Sequence, residues 1–350
     1  MRSIFFLLCL PLAPVVRAQL PVTINWSSFL PYGSEVNAPG LISIDQDTVA
    51  WMVLDEDGHW TTWDGIIREF ITDGTGITGY TPHLYINCGS LDHYIDFEMR
   101  NDSLWGVSSW QYLSGPITYC ANSPSGDYSQ NAMENGEYLH DGVLDLLVGS
   151  NNWFICAWHE VSFTQRDARI VALDMSNTVL WQVDLTEADF GVVHTLAQRG
   201  DTLVLGAFPH LHWIDATSGA LLGSTTVYNG ASGTGRVMWD GGNFLWAAHA
   251  NDTLHYGRLD AQAVPLFANA LPGSSVNSIA KDAQDRLWIG GTTGSSGALT
   301  RISATGAVDG TWTYGASVTD MEFANGRLFW AGRLLPNATE SYLVCGTPNP

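Results

Sequence analysis

The sequence predicts an all-β protein, a seven-bladed β-propeller with four-stranded antiparallel blades. Three observations carry that expectation. One short phrase recurs: DRLWIGG at 285–291, GNFLWAA at 242–248 and NGRLFWAG at 325–332. Asp outnumbers Glu 25 to 10 and Gly reaches 36, a balance that favours turns over helices. After the first residues no segment sustains a 3.6-residue apolar period; runs of Val, Leu, Ile and Trp bounded by Gly, Asn and Asp recur instead, the strand-and-hairpin pattern.

Taken in chain order, residues 1–18 read as a secretory signal peptide, with Arg2 in a short positive region, an apolar run from Ile4 to Val16, and Val16-Arg17-Ala18 before the cut. The mature chain, 19–350, is then expected to be one domain, secreted or held at the cell surface. No later stretch is long and apolar enough for a transmembrane helix. Loss of Arg2 and Arg17 takes the formal charge from −21 to −23, with Lys281 the only lysine. Such a field repels nucleic acid and anionic lipid, so neither is an expected partner, while a divalent cation is compatible with it.

Val49, Leu104, Leu146, Leu203, Leu245, Leu287 and Leu328 are each read as opening the second strand of a unit, at steps of 55, 42, 57, 42, 42 and 41 residues. The long steps are assigned to insertions near 73–91 and 150–169. Runs such as VHTLAQ (193–198), VNSIAKD (276–282) and VTDMEFA (318–324) supply the strand before each anchor. HLHWID (210–215), LHYGRLD (254–260) and ALTRISA (298–304) supply the third strand, and LLGSTTV (221–227) and GTWTYG (310–315) the fourth. A four-stranded sheet cannot bury both faces alone, so seven are expected to stack around a channel, with Trp105, Trp246 and Trp288 filling the wedges between neighbours. The last unit supplies three strands, ending in SYLVCG (341–346); PVTINWSSF (21–29) is expected to complete it and close the ring.

WMVLDEDGHWTTWDG (51–65) and DRLWIGG resemble the propeller repeat of bacterial two-component sensor ectodomains, and IVALDMSNTVLWQVDL (170–185) is similar to a quinoprotein-dehydrogenase-like repeat. Both resemblances imply a propeller. Neither transfers an activity: no Asp-Arg-Lys pattern marks a quinone pocket, and no kinase or DNA-binding segment follows.

Candidate site residues are few. His93, His194, Arg236, Asn277 and Thr319 are expected near one level of the channel mouth, where the resemblance implies ligand binding. His210 and His212 share one strand face and could hold a metal, given a third ligand. Against that stands a hydrated channel and a satisfied histidine pair. His159-Glu160 is a weak acid–base pair, because adjacent strand residues face opposite ways. DEDG at 55–58 lacks the later acidic ligands of a calcium loop and reads as a hairpin turn. Most tryptophans sit at packing positions; Trp110, Trp153 and Trp158 fall outside the anchor and are candidates for a sugar platform. Asn25, Asn101, Asn251 and Asn337 open glycosylation sequons. Of the mature cysteines, Cys88 and Cys120 flank one repeat and are the first candidates for a disulfide. These features favour a non-enzymatic binding or scaffold module for a protein or glycan, with no cofactor. The alternatives are a hydrolase or lyase with a metal near His93 and His194, or the sensor or assembly part of a surface complex.

Overall fold

The computed structural model describes residues 20–30, 41–46, 48–56, 63–72, 77–86, 92–101, 103–110, 117–122, 128–133, 141–162, 165–334 and 341–350. Among them lie 28 strands and one short helix. The first strand, β1 (Val22–Leu30), stands apart from its successors in the chain. A first sheet follows from β2 (Leu41–Asp45), β3 (Thr48–Glu56), β4 (Trp63–Thr72) and β5 (Ile77–Ile86). The second holds β6 (Asp92–Arg100), β7 (Ser103–Trp110), β8 (Ile117–Asn122) and β9 (Tyr128–Met133). The third holds β10 (Asp141–Val148), β11 (Asn152–Ser162), β12 (Gln165–Asp174) and β13 (Val179–Leu185), and helix α1 (Glu187–Phe190) leads out of it. The fourth holds β14 (Thr195–Arg199), β15 (Thr202–Ala207), β16 (His210–Asp215) and β17 (Leu221–Thr226). The fifth holds β18 (Thr234–Trp239), β19 (Asn243–Ala250), β20 (Thr253–Asp260) and β21 (Pro265–Pro272). The sixth holds β22 (Ser278–Lys281), β23 (Leu287–Thr293), β24 (Ser296–Ile302) and β25 (Val308–Thr313).

The seventh sheet combines β26 (Ser317–Ala324), β27 (Arg327–Arg333) and β28 (Ser341–Pro348) with β1, in the order β1-β28-β27-β26. Val22 lies opposite Pro348 and Leu30 opposite Ser341, so the amino-terminal strand completes the last sheet in antiparallel register. The two chain ends are fastened again beyond the ladder. Asn349 donates its backbone N–H to the Pro21 carbonyl at 2.7 Å, and its own carbonyl receives Arg286 Nη1 at 2.8 Å and Arg301 Nη1 at 3.0 Å from the sixth sheet.

Each recurring phrase becomes the second strand of a sheet, and its residues have separate jobs. The opening turn takes left-handed backbone, at Asp285 (φ 63°) and Asn325 (φ 52°), which Asn and Asp tolerate better than other side chains. The tryptophan then fills the space towards the next sheet. Trp105 packs with Leu146, Val148 and Trp153 of the third sheet, and Trp288 with Val318, Met321 and Trp330 of the seventh. The closing small residues are forced by a neighbouring backbone. A Cβ on Gly291 would stand 1.7 Å from the Ser275 carbonyl oxygen, and one on Gly332 would stand 1.9 Å from that of Ser317. Asp residues at the turns before the fourth strands act alike: Asp174 Oδ1 accepts Ser176 N and Thr178 N, and Asp260 Oδ1 accepts Gln262 N and Val264 N. Much of the Asp excess is therefore turn chemistry.

One anchor is misplaced by the sequence reading. Leu146 lies in β10, the first strand of the third sheet, opposite Ile155 of β11. The second strand begins at Asn152, and its large aromatic is Trp153, wholly buried and 5.3 Å from Trp105 between ring centroids. Trp153 is thus a packing residue and no sugar platform. The supposed insertion at 150–169 is the long β11–β12 hairpin itself. The error arose because VLDLLV (143–148) is as apolar as a second strand, and apolarity alone does not distinguish neighbouring buried strands.

The first strand of each sheet lies beside that of the next: β2 beside β6, then β10, β14, β18, β22 and β26, with β26 also beside β2. Among the described residues no helix is long and apolar enough to cross a membrane.

Candidate functional site

Two short sequences in these first strands read alike, DFE at 96–98 in β6 and DME at 320–322 in β26. Period-2 alternation sends the acid at i and the acid at i+2 to the same side of a strand. Asp96, Glu98, Asp320 and Glu322 accordingly line one cavity of about 300 Å³, which Asp145 of β10 and Arg236 of β18 also enter and to which all seven first strands contribute.

The carboxylates are held by the open edge of the neighbouring strand. A first strand pairs on one side only, and its unpaired N–H groups need acceptors. Side-chain oxygens of the preceding sheet supply them. Met99 N donates to Ser43 Oγ at 2.8 Å and Leu146 N to Asp96 Oδ2 at 2.7 Å; Leu196 N donates to Asp145 Oδ2. Val237 N lies 3.5 Å from Thr195 Oγ1, and Met321 N donates to Ser278 Oγ at 3.1 Å. Ile42 N donates to Asp320 Oδ2 at 2.9 Å, which carries the same device from the seventh sheet to the first. Glu98 Oε2 adds a further bond by accepting Val148 N at 2.6 Å. Arg236 breaks the pattern: it is a donor, and its Nη1 reaches back to the His194 carbonyl at 3.0 Å.

Burial dominates the electrostatics. It raises Asp96 well above the usual carboxylate range, helped by Asp145 and opposed by Arg236. Burial likewise raises Asp145, against the pull of Arg236, and Asp320, against the Ile42 N–H. Glu98 is raised by burial to about 7, although the Val148 N–H favours its charged form. Glu322 is raised well above its ordinary value by burial, then by Asp320 and Glu98. Five carboxyls thus face one guanidinium, and each binds its proton more tightly than an exposed carboxyl does.

The channel-mouth set named from sequence is brought together only in part. His194 and Arg236 meet, through the His194 carbonyl. The imidazole is depressed to about 4 by burial and by Arg236, so it is neutral, and it lines a second pocket of about 320 Å³ with Asp167, Glu187 and Val192. Asn277 Nδ2 donates to the Val318 carbonyl at 2.7 Å, and Thr319 Oγ1 donates to Ala331 O at 3.1 Å within its own sheet. His93 lies in β6, with its side chain outside the described residues. His210 and His212 do share a face, with ring centroids 6.2 Å apart. His210 Nδ1 lies 3.1 Å from Thr226 Oγ1, and His212 Nε2 lies 2.9 Å from the Phe190 carbonyl.

Among the described residues, no three His, Cys, Asp or Glu side chains converge at metal-binding distances. Cys88 and the side chain of Cys120 lie outside the described residues, as do Asp57, Gly58 and the side chains of His159, Glu160, Trp110 and Trp158. Cys156 and Cys345 are buried free thiols.

Sequence reasoning missed the five carboxyls because it searched strand ends for histidines. The signal was present as an acid inside an apolar strand, Asp-Phe-Glu and Asp-Met-Glu. Acids at such positions are uncommon without a partner.

With the geometry in place, comparison with known proteins adds one finding. Residues 270–293 match the family model described as two component regulator propeller. The span runs from the end of β21 through β22 and β23 and contains DRLWIGG; it does not include 170–185. Comparison with curated proteins gives no match.

Proposed function

We infer a function from one premise, a propeller repeat within an all-β chain of four-stranded sheets. We propose that the chain is a closed seven-bladed propeller, exported through residues 1–18, that acts as a non-enzymatic binding module for a protein or glycan. The ligand would sit on the face formed by the connectors that enter the first strands, the Gly191–His194 segment among them. The carrying observation is the series of side-chain bonds between first strands, which includes Asp320 to Ile42. Those bonds tie each first strand to a neighbouring sheet through inward polar groups. They support a rigid frame whose variable connectors do the recognising, the usual division of labour between scaffold and loops.

A photo-crosslinking amino acid placed at Val192, 43% exposed beside the second pocket, tests this against one at Leu222, 59% exposed on the outermost strand β17. Capture of a discrete protein or glycan from the native cell surface at position 192 alone is the expected result. Capture at 222 alone, or at neither, refutes the loop-face reading. Export is checked by the amino terminus of the secreted protein, expected at Gln19.

A further inference from the structure

Asp96, Glu98, Asp145, Asp320 and Glu322 share their cavity with a single fixed cation, Arg236, a formal imbalance of four when all are ionised. A second observation concerns the hydrogen bonding of one of these carboxyls. The Ile44 N–H bonds to the Glu322 carboxylate, yet Glu322 Oε2 is closed off from solvent and accepts from no group. A buried acceptor without a donor is costly, so a donor belongs there. The cavity also excludes alternatives. Its volume of about 300 Å³ is far more than a bare ion fills, and no three described carboxylates or histidines converge as metal ligands. Anions are repelled by the net charge, and a neutral sugar would leave the charge uncompensated.

We propose that this cavity receives an alkylammonium or guanidinium group of the ligand, which donates to Glu322 Oε2 and offsets the negative charge of the five carboxyls. The inference rests on the binding-module reading above and narrows its ligand to one that carries a basic group. Such a group brings several N–H donors and one positive charge on an apolar stem, the combination the site lacks. The flanking charges leave that imbalance unchanged. Arg100 stands beside Glu98 and Asp45 near Glu322, while β14 and β22 present the neutral Thr195 and Ser278.

The test is calorimetric titration of the full-length secreted protein with 1,5-diaminopentane, with N-acetyl-lysine methylamide, and with calcium chloride. At pH 8 one amine is expected to bind with release of protons, read from buffers of different ionisation enthalpy, and to bind about tenfold more weakly at pH 5. Tighter binding of the diamine identifies a free amine as the ligand; tighter binding of the lysine analogue identifies a basic side chain of a protein. Glu322→Gln is expected to weaken either by about tenfold. Where that variant does not fold, Glu98→Gln serves, with the proton release reduced. No heat from either amine at pH 8 on folded protein, pH-independent binding, unchanged affinity in the variant, or tighter binding of calcium each overturns the proposal. Failure here with specific crosslinking at position 192 sinks this inference alone; failure of both sinks the binding-module reading.

Discussion

Asp320 joins three sheets, so its removal tests the bonds between first strands directly. Its Oδ2 accepts Ile42 N from the first sheet, and its Oδ1 accepts Ser278 Oγ from the sixth and Met321 N of its own strand. In Asp320→Ala the Ile42 N–H loses its partner inside the cavity, at a cost of about 1–3 kcal/mol, and the Ser278 hydroxyl loses about 1 kcal/mol more. Met321 N keeps Ser278 Oγ at 3.1 Å. A net loss of about 2–4 kcal/mol is expected near pH 3, below the ordinary Asp value and below the raised folded one, where the carboxyl is protonated in both wild-type states and no charge penalty is relieved. Towards pH 8 the loss shrinks, because burial raises the Asp320 pKa and its replacement removes a group that resists ionisation. The control is Asp260→Ala, an exposed turn residue whose loss should cost about 1 kcal/mol or less. Urea midpoints followed by tryptophan fluorescence at both pH values give the comparison. If Asp320→Ala is no worse than Asp260→Ala at pH 3, the bonds between first strands do not hold the sheets together, and the closed-ring reading loses its main support.

Other outcomes follow from the same geometry. Glu98 moves from about 4.5 to about 7 on folding, so its contribution is fully present below pH 4.5 and is lost as pH rises to 7, about 3 kcal/mol in all; the melting temperature should fall between pH 5 and pH 8, and Glu98→Gln should flatten that slope. Arg286→Ala removes the partner of Asp282 (2.7 Å, carboxylate wholly buried) and one of the two anchors of the Asn349 carbonyl; a loss of about 3–5 kcal/mol is expected by thermal unfolding. Gly291→Ala must displace the Ser275 backbone and should reduce soluble yield sharply, whereas Gly200→Ala, with nothing within 4 Å, should cost only the strain of its positive φ. The Cys156 thiol, raised well above its usual range by burial, should resist a thiol reagent until the protein is denatured.

The amino-acid sequence determined the strands and most of their order, because the physics involved is local. A turn that needs left-handed backbone, a large aromatic three to five residues later and a small residue where another backbone passes are properties of single positions, and they recur at 285–291 and 325–332. Even the pairing of residues 22–30 with 341–348 was legible, since the last unit lacked one strand and the amino terminus carried a spare. Only the tertiary structure decided which buried strand lies innermost, as Leu146 and Trp153 show, because that depends on neighbours about fifty residues away, in the sheets on either side. The carboxyl cluster was likewise invisible as a cluster. Asp96, Asp145 and Asp320 are far apart in sequence, and only the packing of first strand beside first strand brings Asp145 and Asp320 close enough to raise the proton affinity of Asp96.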